Sequence, residues 1–253
     1  MKKFGVYSVL TVSAFGFLLG LSPLKAHAGL ITTDTLTFKN TGGNSLGGYS
    51  TYPYYFNIKT AAGTTTTGVP LLCVSFQDTI QPTESWQADV YTVGSTYLNT
   101  DTKNSLVPVL NTAQQDADTW IYSQVVSLES ANPSVNALSI EEWQWAAWMV
   151  GDSQLYNLST NQLWSQYHLT KQDVTAIDQD VNQAETTGVQ QLTSFYAGYE
   201  LFVPVVSKYD TNPPQTFIGP APCVTPEPSS FILFGSGLLT AAGALYRRKR
   251  RTA

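Results

Sequence analysis

The chain of 253 residues is poor in arginine and histidine, and this scarcity excludes several kinds of site. No arginine precedes Arg247, so the body of the chain offers no bidentate clamp for phosphate groups. The only histidines are His27 and His168, which excludes a zinc centre built from several histidines. A Ser-His-Asp triad would have to use His168, and its Tyr-His-Leu context favours a polar surface or helix-end residue instead.

Charge is scarce and unevenly distributed along the chain. Charged residues make up 12% and hydrophobic residues 43%, which is not the composition of a charge-dominated disordered chain. The middle of the chain, between the two basic ends, contains five lysines, from Lys39 to Lys208, and all eighteen carboxylates. Its net charge is therefore −13. Nucleic-acid binding, which requires basic contacts to phosphates, is thereby excluded. The many small polar and aromatic residues are typical of an extracellular, strand-rich domain.

The N-terminus has the organisation of a secretory signal peptide. Lys2 and Lys3 precede an apolar run over 4–21, and Ala26-His27-Ala28 has the A-x-A pattern of a cleavage site. We therefore predict a signal peptide over 1–28, cut after Ala28 by signal peptidase, and an exported mature chain.

The C-terminus consists of three parts in a fixed order. Pro226-Glu227-Pro228 comes first, an uncharged segment over 229–246 follows, and basic residues fill 247–251. Eighteen helical residues at a rise of about 1.5 Å each span roughly 27 Å, enough for a bilayer core. The basic end favours the cytoplasmic side. We predict a single transmembrane helix over 229–246 in the inner membrane.

This order of Pro-Glu-Pro, span and basic end resembles the PEP-CTERM sorting signal of Gram-negative surface proteins. The resemblance implies that an exosortase, a membrane cysteine protease, cuts near Pro226, Glu227 and Pro228. The protein would then pass to the cell surface or the medium. It also implies a setting of exopolysaccharide and biofilm. The alternative is an ordinary tail anchor that is never cut.

The middle of the chain predicts an α+β domain over 29–208, followed by a Pro-rich linker over 209–225 and the tail over 226–253. Its first half is β-sandwich-like and its second half helical. A capping box from Ser139 to Glu142 predicts a helix that ends near Val150, and Thr170 predicts the start of another. Alternation and buried runs predict strands over 34–39, 53–59, 69–76, 85–93 and 201–206.

Two cysteines leave three interpretations open. Cys73 lies in an apolar strand, and Cys223 lies in the Pro-rich segment. Export favours a disulfide between them, which would tie that segment to the first sheet. Cys73 is alternatively an inert buried thiol. The third interpretation joins Cys73 to Gln144, which lies among three tryptophans in Trp143-Gln144-Trp145-Ala-Ala-Trp148.

The third interpretation depends on a resemblance to the thioester domains of bacterial surface adhesins. Those domains carry a strand cysteine after apolar residues, and later a glutamine in a Thr-Gln-x-Ala pattern followed by tryptophan. Cys73 and Gln144 match in order and type, whereas Trp143 stands where the family has threonine. The resemblance implies that Cys73 supplies the sulfur and Gln144 the acyl group. A surface amine or hydroxyl would then attack the thioester.

We expect a non-enzymatic surface protein whose ectodomain serves adhesion or matrix contact, with exopolysaccharide or a surface amine as partner. A secreted polysaccharide-active hydrolase is the alternative. Against it, Glu141 and Glu142 are adjacent and point about 100° apart on a helix, which does not suit a glycosidase pair. A calcium site was considered at four acidic residues of the second half, but their spacing is not that of an EF-hand loop and favours solvated helix faces: Asp152, Asp173, Asp178 and Asp180. We therefore expect no metal and no cofactor.

Overall fold

The structure is a computed structural model that describes residues 30–76, 80–95, 107, 109–190, 198–207 and 211–221. The predicted signal peptide, Cys223, the Pro-Glu-Pro motif and the predicted span over 229–246 lie outside these residues. Within the described ranges, no helix has the length and apolarity needed to cross a membrane.

Six antiparallel strands close into a barrel. They are β1 (Leu30–Thr41), β4 (Tyr54–Lys59), β5 (Thr65–Cys73), β6 (Ser85–Thr92), β7 (Tyr199–Pro204) and β8 (Phe217–Pro220). Their order around the barrel is β1-β4-β5-β8-β7-β6, and β6 pairs with β1. A small hairpin, β2 (Ser45–Leu46) and β3 (Tyr49–Ser50), lies outside it. The predicted strands of the first half are thus confirmed, while the predicted sandwich is instead a closed barrel.

Alternating side chains fill the barrel. Leu36 and Phe38 of β1 and Phe56 and Ile58 of β4 are almost completely buried, while their chain neighbours are more exposed. The ring centroids of Phe56 and Phe217 lie 4.7 Å apart at a near-perpendicular tilt, an arrangement that aromatic pairs favour.

Strand β8 lies inside the range that the sequence assigned to a linker. Phe217 is completely buried and pairs with Cys73 of β5, so residues 217–220 are a barrel strand rather than part of an extended linker. Four residues between proline-rich flanks are too few to show an alternating pattern. Only the long-range pairing with β5 and β7 identifies them as a strand.

Helices cover the barrel: α1 (Thr112–Ala131), α2 (Pro133–Gly151), α3 (Ser153–Tyr156), α4 (Thr160–Tyr167) and α5 (Lys171–Gln183), then a π-helical turn, Ala184–Gly188. The Asn132 side chain caps α2 by accepting from the Val135 N–H, and Pro133 follows at the first helical position. The predicted capping box at Ser139 is therefore wrong, because Ser139 lies inside α2. The predicted start of α5 at Thr170 is confirmed by its capping box with Asp173.

The C-terminal end of α2 comes very close to the end of β5. A Cβ atom on Gly151 would lie 2.2 Å from the carbonyl oxygen of Val74. Only glycine therefore permits this approach. Because Gly151 follows Gln144 by seven residues, both lie on the same face of the helix and both meet the strand end.

We predict that Gly151→Ala destabilises the fold. Alanine in a helix is favoured over glycine by about 1 kcal/mol. The added methyl meets a backbone atom that no rotamer change can move, and such overpacking costs about 1–3 kcal/mol or more. Urea denaturation should show a net loss of stability. Gly198→Ala is the matched control, since a Cβ there has no neighbour within 4 Å. Equal stability of the two variants would contradict this account of the α2–β5 contact.

Candidate functional site

Cys73 is the last residue of β5 and is completely buried. It pairs with Phe217 of β8 in the barrel, which fixes its backbone on that side of the strand. The Cys73 Sγ donates a hydrogen bond to the Ser75 carbonyl oxygen at 3.1 Å. The thiol is thus held in one orientation inside a dry region.

Gln144 lies in the middle of α2 and is also completely buried. Its side-chain Nε2 donates to the backbone carbonyl oxygen of Cys73 at 2.6 Å. This short contact joins residues 71 positions apart in the chain. The structure therefore brings together the two residues that the sequence paired, and it places the Gln144 carboxamide against the Cys73 backbone.

Two complementary polar atoms of α2 are buried and have no hydrogen-bond partner among the residues that the structure describes. One is the acceptor Oε1 of Gln144, and the other is the donor Nε1 of Trp148. The two residues are four apart on α2, so they are neighbours on one helix face. Buried polar groups normally find partners, because leaving one unsatisfied costs about 1–3 kcal/mol.

Aromatic side chains enclose this part of α2. Trp145 and Trp148 are 0% and 2% exposed, and their ring centroids lie 5.3 Å and 5.0 Å from that of Phe76. Tyr49 and Tyr167 add further ring contacts to Trp145. Trp143, the third tryptophan next to Gln144 in the sequence, packs instead against Trp120, with ring centroids 5.3 Å apart.

A cavity of about 390 Å³ adjoins these aromatic side chains. Tyr54 lines the cavity, and burial raises the pKa of its hydroxyl well above the ordinary value, with a further contribution from the nearby Cys73. Its hydroxyl donates to the Ser50 carbonyl oxygen. The other lining residues are Phe38, Asn40, Thr41, Tyr49, Ser50, Phe76, Ile80, Pro82, Trp148 and Gln215.

The two glutamates considered for a hydrolase, Glu141 and Glu142, lie next to each other on α2. Glu141 accepts a hydrogen bond from the Ser45 backbone N–H at 3.1 Å, which ties α2 to the small hairpin. Partial burial raises the pKa of Glu141, and burial together with the Asp173 charge raises that of Glu142. His168 ends α4 in a left-handed conformation and is exposed, as its sequence context predicted.

Other buried carboxyl groups lie apart from the candidate site. Asp118 of α1 is completely buried with both oxygens unpartnered, and burial raises its pKa well above the ordinary value. Asp34 of β1 and Glu200 of β7 are 1% and 9% exposed, and each has one unpartnered oxygen. Burial and then the Asp34 charge raise the pKa of Glu200 to about 7.

No group of three or more His, Cys, Asp or Glu side chains within the described ranges is arranged to hold a metal ion. Asp173, one of the acidic residues weighed for calcium, accepts instead from the Thr170 N–H at 2.7 Å and so caps α5. Cys223, the disulfide candidate, lies outside the described residues.

Comparison with known proteins identifies the tail. Residues 224–251 match the PEP-CTERM protein-sorting motif, which includes Pro226, Glu227 and Pro228. The chain is therefore an exported protein that carries the sorting signal of exosortase substrates, and it is anchored in the membrane before processing. No curated protein and no solved structure matches the chain. The motif match covers the tail alone.

Several residues of the site were not predicted from the sequence. Phe38 and Tyr54 line the cavity because β1 and β4 are neighbours in the barrel, which no local pattern reveals. Phe76 was predicted as a strand residue rather than as part of a cluster of rings. The one available signal was its distance of three residues from Cys73.

We predict that Glu200 makes stability depend on pH. Its folded pKa of about 7 exceeds the ordinary value of 4.5, so the folded state favours the protonated form. The resulting penalty is absent below about pH 4.5, grows as the pH rises to about 7, and then stays constant at on the order of 3 kcal/mol. Glu200→Gln should therefore be more stable than wild type at pH 8, with no such gain at pH 4.5.

Urea denaturation at both pH values measures this difference. Glu185→Gln, which removes one carboxylate from an exposed position, is the control for net charge. An equal effect of Glu200→Gln at the two pH values would show that Glu200 is not the titrating group.

Proposed function

We propose that the exported domain is a covalent surface adhesin that forms a thioester between Cys73 and Gln144. The observation that carries the proposal is the 2.6 Å contact from the Gln144 carboxamide to the Cys73 carbonyl, with both residues at 0% exposure. A helix glutamine and a strand cysteine are held against each other inside a dry aromatic region. The contact supports the proposal because it holds the carboxamide at the cysteine backbone, and the reaction requires in addition that the Cys73 Sγ reach the Gln144 Cδ.

The chemistry starts from the two side chains alone. The Cys73 thiol adds to the Gln144 Cδ, and the tetrahedral intermediate expels the Nε2 group as ammonia. A C–S bond replaces the C–N bond, and the thiol proton leaves with the ammonia. No oxidant, metal or cofactor takes part. The Cys73 carbonyl that binds Nε2 orients the departing nitrogen.

In this proposal, Trp148 donates a hydrogen bond to the Gln144 Oε1. As Gln144 Cδ becomes tetrahedral, negative charge grows on Oε1, which has no hydrogen-bond partner among the described residues. The unpartnered Nε1–H of Trp148 lies one turn away and is the complementary group. A donor directed at a developing oxyanion in a water-free site typically accounts for a rate factor of about 10²–10³.

Each protein molecule can use its thioester only once. An acceptor amine attacks the thioester carbonyl, an amide bond forms at Gln144, and the Cys73 thiol is released. Because the protein is consumed as the adduct, the function is adhesion rather than catalysis. Surface display through the sorting motif would place this group where matrix polymers and neighbouring cells are available.

The hydrolase alternative has one observation in its favour. Asp34 and Glu200 interact electrostatically and both have raised pKa values, which is one feature of an acid pair. Burial does not decide between the two candidates, because Cys73 and Gln144 are buried at least as deeply as Asp34 and Glu200. Cys73 and Gln144 are in direct contact, whereas the interaction between Asp34 and Glu200 is electrostatic. We therefore favour the covalent adhesin.

We expect the exported protein to weigh one ammonia less than its processed sequence. Intact-mass spectrometry of protein from an exosortase-bearing host measures this deficit. Methylamine should abolish the deficit and leave an adduct on Gln144. Cys73→Ala should show neither the deficit nor the adduct. A full-mass wild-type chain that is inert to methylamine would refute the thioester.

Trp148→Phe should keep the ring contacts and slow both thioester formation and methylamine uptake by tenfold or more, about the low end for a lost oxyanion donor. Trp145→Phe is the matched control, because the Trp145 Nε1 donates to the Leu46 carbonyl at 3.2 Å and has a structural role. Equal rates of thioester formation and methylamine uptake in the two variants would show that the Trp148 N–H has no part in the mechanism.

Cleavage of the tail should depend on Glu227. In an exosortase-bearing host, wild-type protein should lose the segment that follows the Pro-Glu-Pro motif. Glu227→Ala should retain it, because the variant lacks the only charged residue of that motif. A blot against a C-terminal epitope measures this. A tail retained equally by both proteins would argue for a permanent anchor.

A further inference from the structure

Two carboxylic acids face the interior of the barrel. Asp34 precedes Leu36 by two residues on β1 and therefore shares the strand face that fills the barrel. Glu200 precedes Phe202 by two residues on β7 in the same way. Phe202 pairs with Phe217, and paired residues face the same side of a sheet. Because the ring of Phe217 packs inside the barrel, Glu200 points inward as well.

These two acids lie at the same end of the barrel. Strands β1 and β7 both pair antiparallel with β6, so they run in the same direction. Asp34 lies in the first half of β1, and Glu200 is the second residue of β7. The two carboxyl groups are near enough for the charge of Asp34 to act on Glu200. We call this part of the molecule the acidic end of the barrel.

Each of the two carboxyl groups has one oxygen without a hydrogen-bond partner among the described residues. These atoms are Oδ2 of Asp34 and Oε2 of Glu200, whose side chains are 1% and 9% exposed. The Oδ1 atom of Asp34 accepts from the Thr32 hydroxyl at 3.2 Å and from the Ala61 N–H at 3.1 Å. The Asp34 carboxylate is thus held in place with its second oxygen free. Buried carboxylates are normally paired with a cation or bound to a metal ion, whereas the charge that acts on Glu200 here has the same sign.

Hydroxyl oxygens are present at the acidic end as well. The Thr32 hydroxyl contacts Asp34 directly. Thr92 pairs with Glu200 in the sheet, so its side chain faces the same side. Both threonines are partly exposed. Water and small ions therefore reach the carboxyl groups from this end of the barrel.

We propose that the acidic end of the barrel binds a calcium ion through Asp34 Oδ2 and Glu200 Oε2. The hydroxyls of Thr32 and Thr92, together with water molecules, complete the set of oxygen ligands. The ion links β1 to β7, two strands that β6 separates in the barrel. The site is independent of the proposed thioester, because Cys73 ends β5 at the opposite end of the barrel.

The kind of ligand and the setting favour calcium. Carboxylate and hydroxyl oxygens suit the hard cations Ca²⁺ and Mg²⁺. Ca²⁺ accepts about six to eight oxygens in a flexible geometry, whereas Mg²⁺ requires a nearly ideal octahedron. Side chains fixed on separate barrel strands suit the more adaptable ion. Calcium sites of extracellular modules typically have a Kd of about 10⁻⁴–10⁻³ M, and the sorting motif marks this chain as exported.

The expectation of no metal came from the spacing of acidic residues along the sequence. A calcium loop keeps its ligands within about twelve consecutive residues. Asp34 and Glu200 come from the first and the seventh strand and meet only because the barrel closes. A site of this kind has no local spacing that a sequence pattern could reveal.

Thermal unfolding of the exported protein tests the site. The protein is purified from an exosortase-bearing host, treated with EDTA and dialysed into neutral buffer. We expect calcium chloride at about 10 mM to raise the Tm by about 3–10 °C relative to sodium chloride of equal ionic strength. Magnesium chloride should give less than half of that shift. A Tm that calcium leaves unchanged, or that all three salts change equally, would overturn the proposal.

Two ligand variants locate the ion. Asp34→Asn and Glu200→Gln each remove one carboxylate and keep the shape of the side chain, so each should abolish the calcium-induced rise in Tm. Glu185→Gln removes a carboxylate from an exposed position and should keep the full rise, which makes it the matched control. A rise that is undiminished in both ligand variants would place calcium elsewhere and refute the assignment.

A third variant tests the site with both carboxylates in place. Thr32→Val removes the hydroxyl that holds Asp34 and should weaken calcium binding about tenfold or more in isothermal titration calorimetry. Wild type should bind a single ion with a Kd near the range given above. Thr35→Val, on the outer face of the same strand, is the matched control and should bind calcium as wild type does. Equal Kd values for Thr32→Val and Thr35→Val would contradict the proposed ligand set.

Discussion

The contact between helix α2 and the end of strand β5 is the interaction on which the rest of the structure depends. It joins the helical layer to the barrel at the point where β5 pairs with β8. Gly151 permits the approach to Val74, and Gln144 binds the Cys73 carbonyl seven residues earlier on the same helix face. The barrel fixes the cysteine and the helix fixes the glutamine. Neither half of the domain contains the site alone.

This contact includes an arrangement that stability by itself does not explain. A buried carboxamide oxygen and a buried indole N–H, one helical turn apart, have no hydrogen-bond partners within the described part of the chain. Each such group costs about 1–3 kcal/mol, and an apolar pair of similar size would avoid that cost. Loss of ammonia would turn the carboxamide into a less polar thioester. The unsatisfied atoms are those that the proposed reaction would use.

Local sequence signals predicted the elements better than their assembly. Alternation located β1 and β4, and the Thr170 cap located the start of α5. The start of α2 was misplaced, because Asn132-Pro133 provides a cap that outcompetes the Ser139 signal six residues on. Strand β8 was missed because four residues between prolines have no visible period.

The pairing of Cys73 with Gln144 could be predicted because residue type and order point to it. The surrounding cavity could not be predicted in this way. Its walls come from β1, β4, the small hairpin and α2, which only barrel closure brings together. Patterns within a single segment carry no information about such long-range neighbours. The composition of the cavity lining is therefore a property of the folded chain.

Identifying the bond that Cys73 makes is the most direct test of the central claim. Because lysines are sparse, digestion after lysine residues locates that bond. Cleavage at Lys59, Lys103, Lys171 and Lys208 puts Cys73 in 60–103, Gln144 in 104–171 and Cys223 in the segment that starts at 209. Mass spectrometry of a digest made without reductant identifies which peptides are joined. The account predicts a link between 60–103 and 104–171 that methylamine breaks and a phosphine reductant, which contains no thiol to attack a thioester, does not. A reducible link from 60–103 to the Cys223 peptide would contradict it.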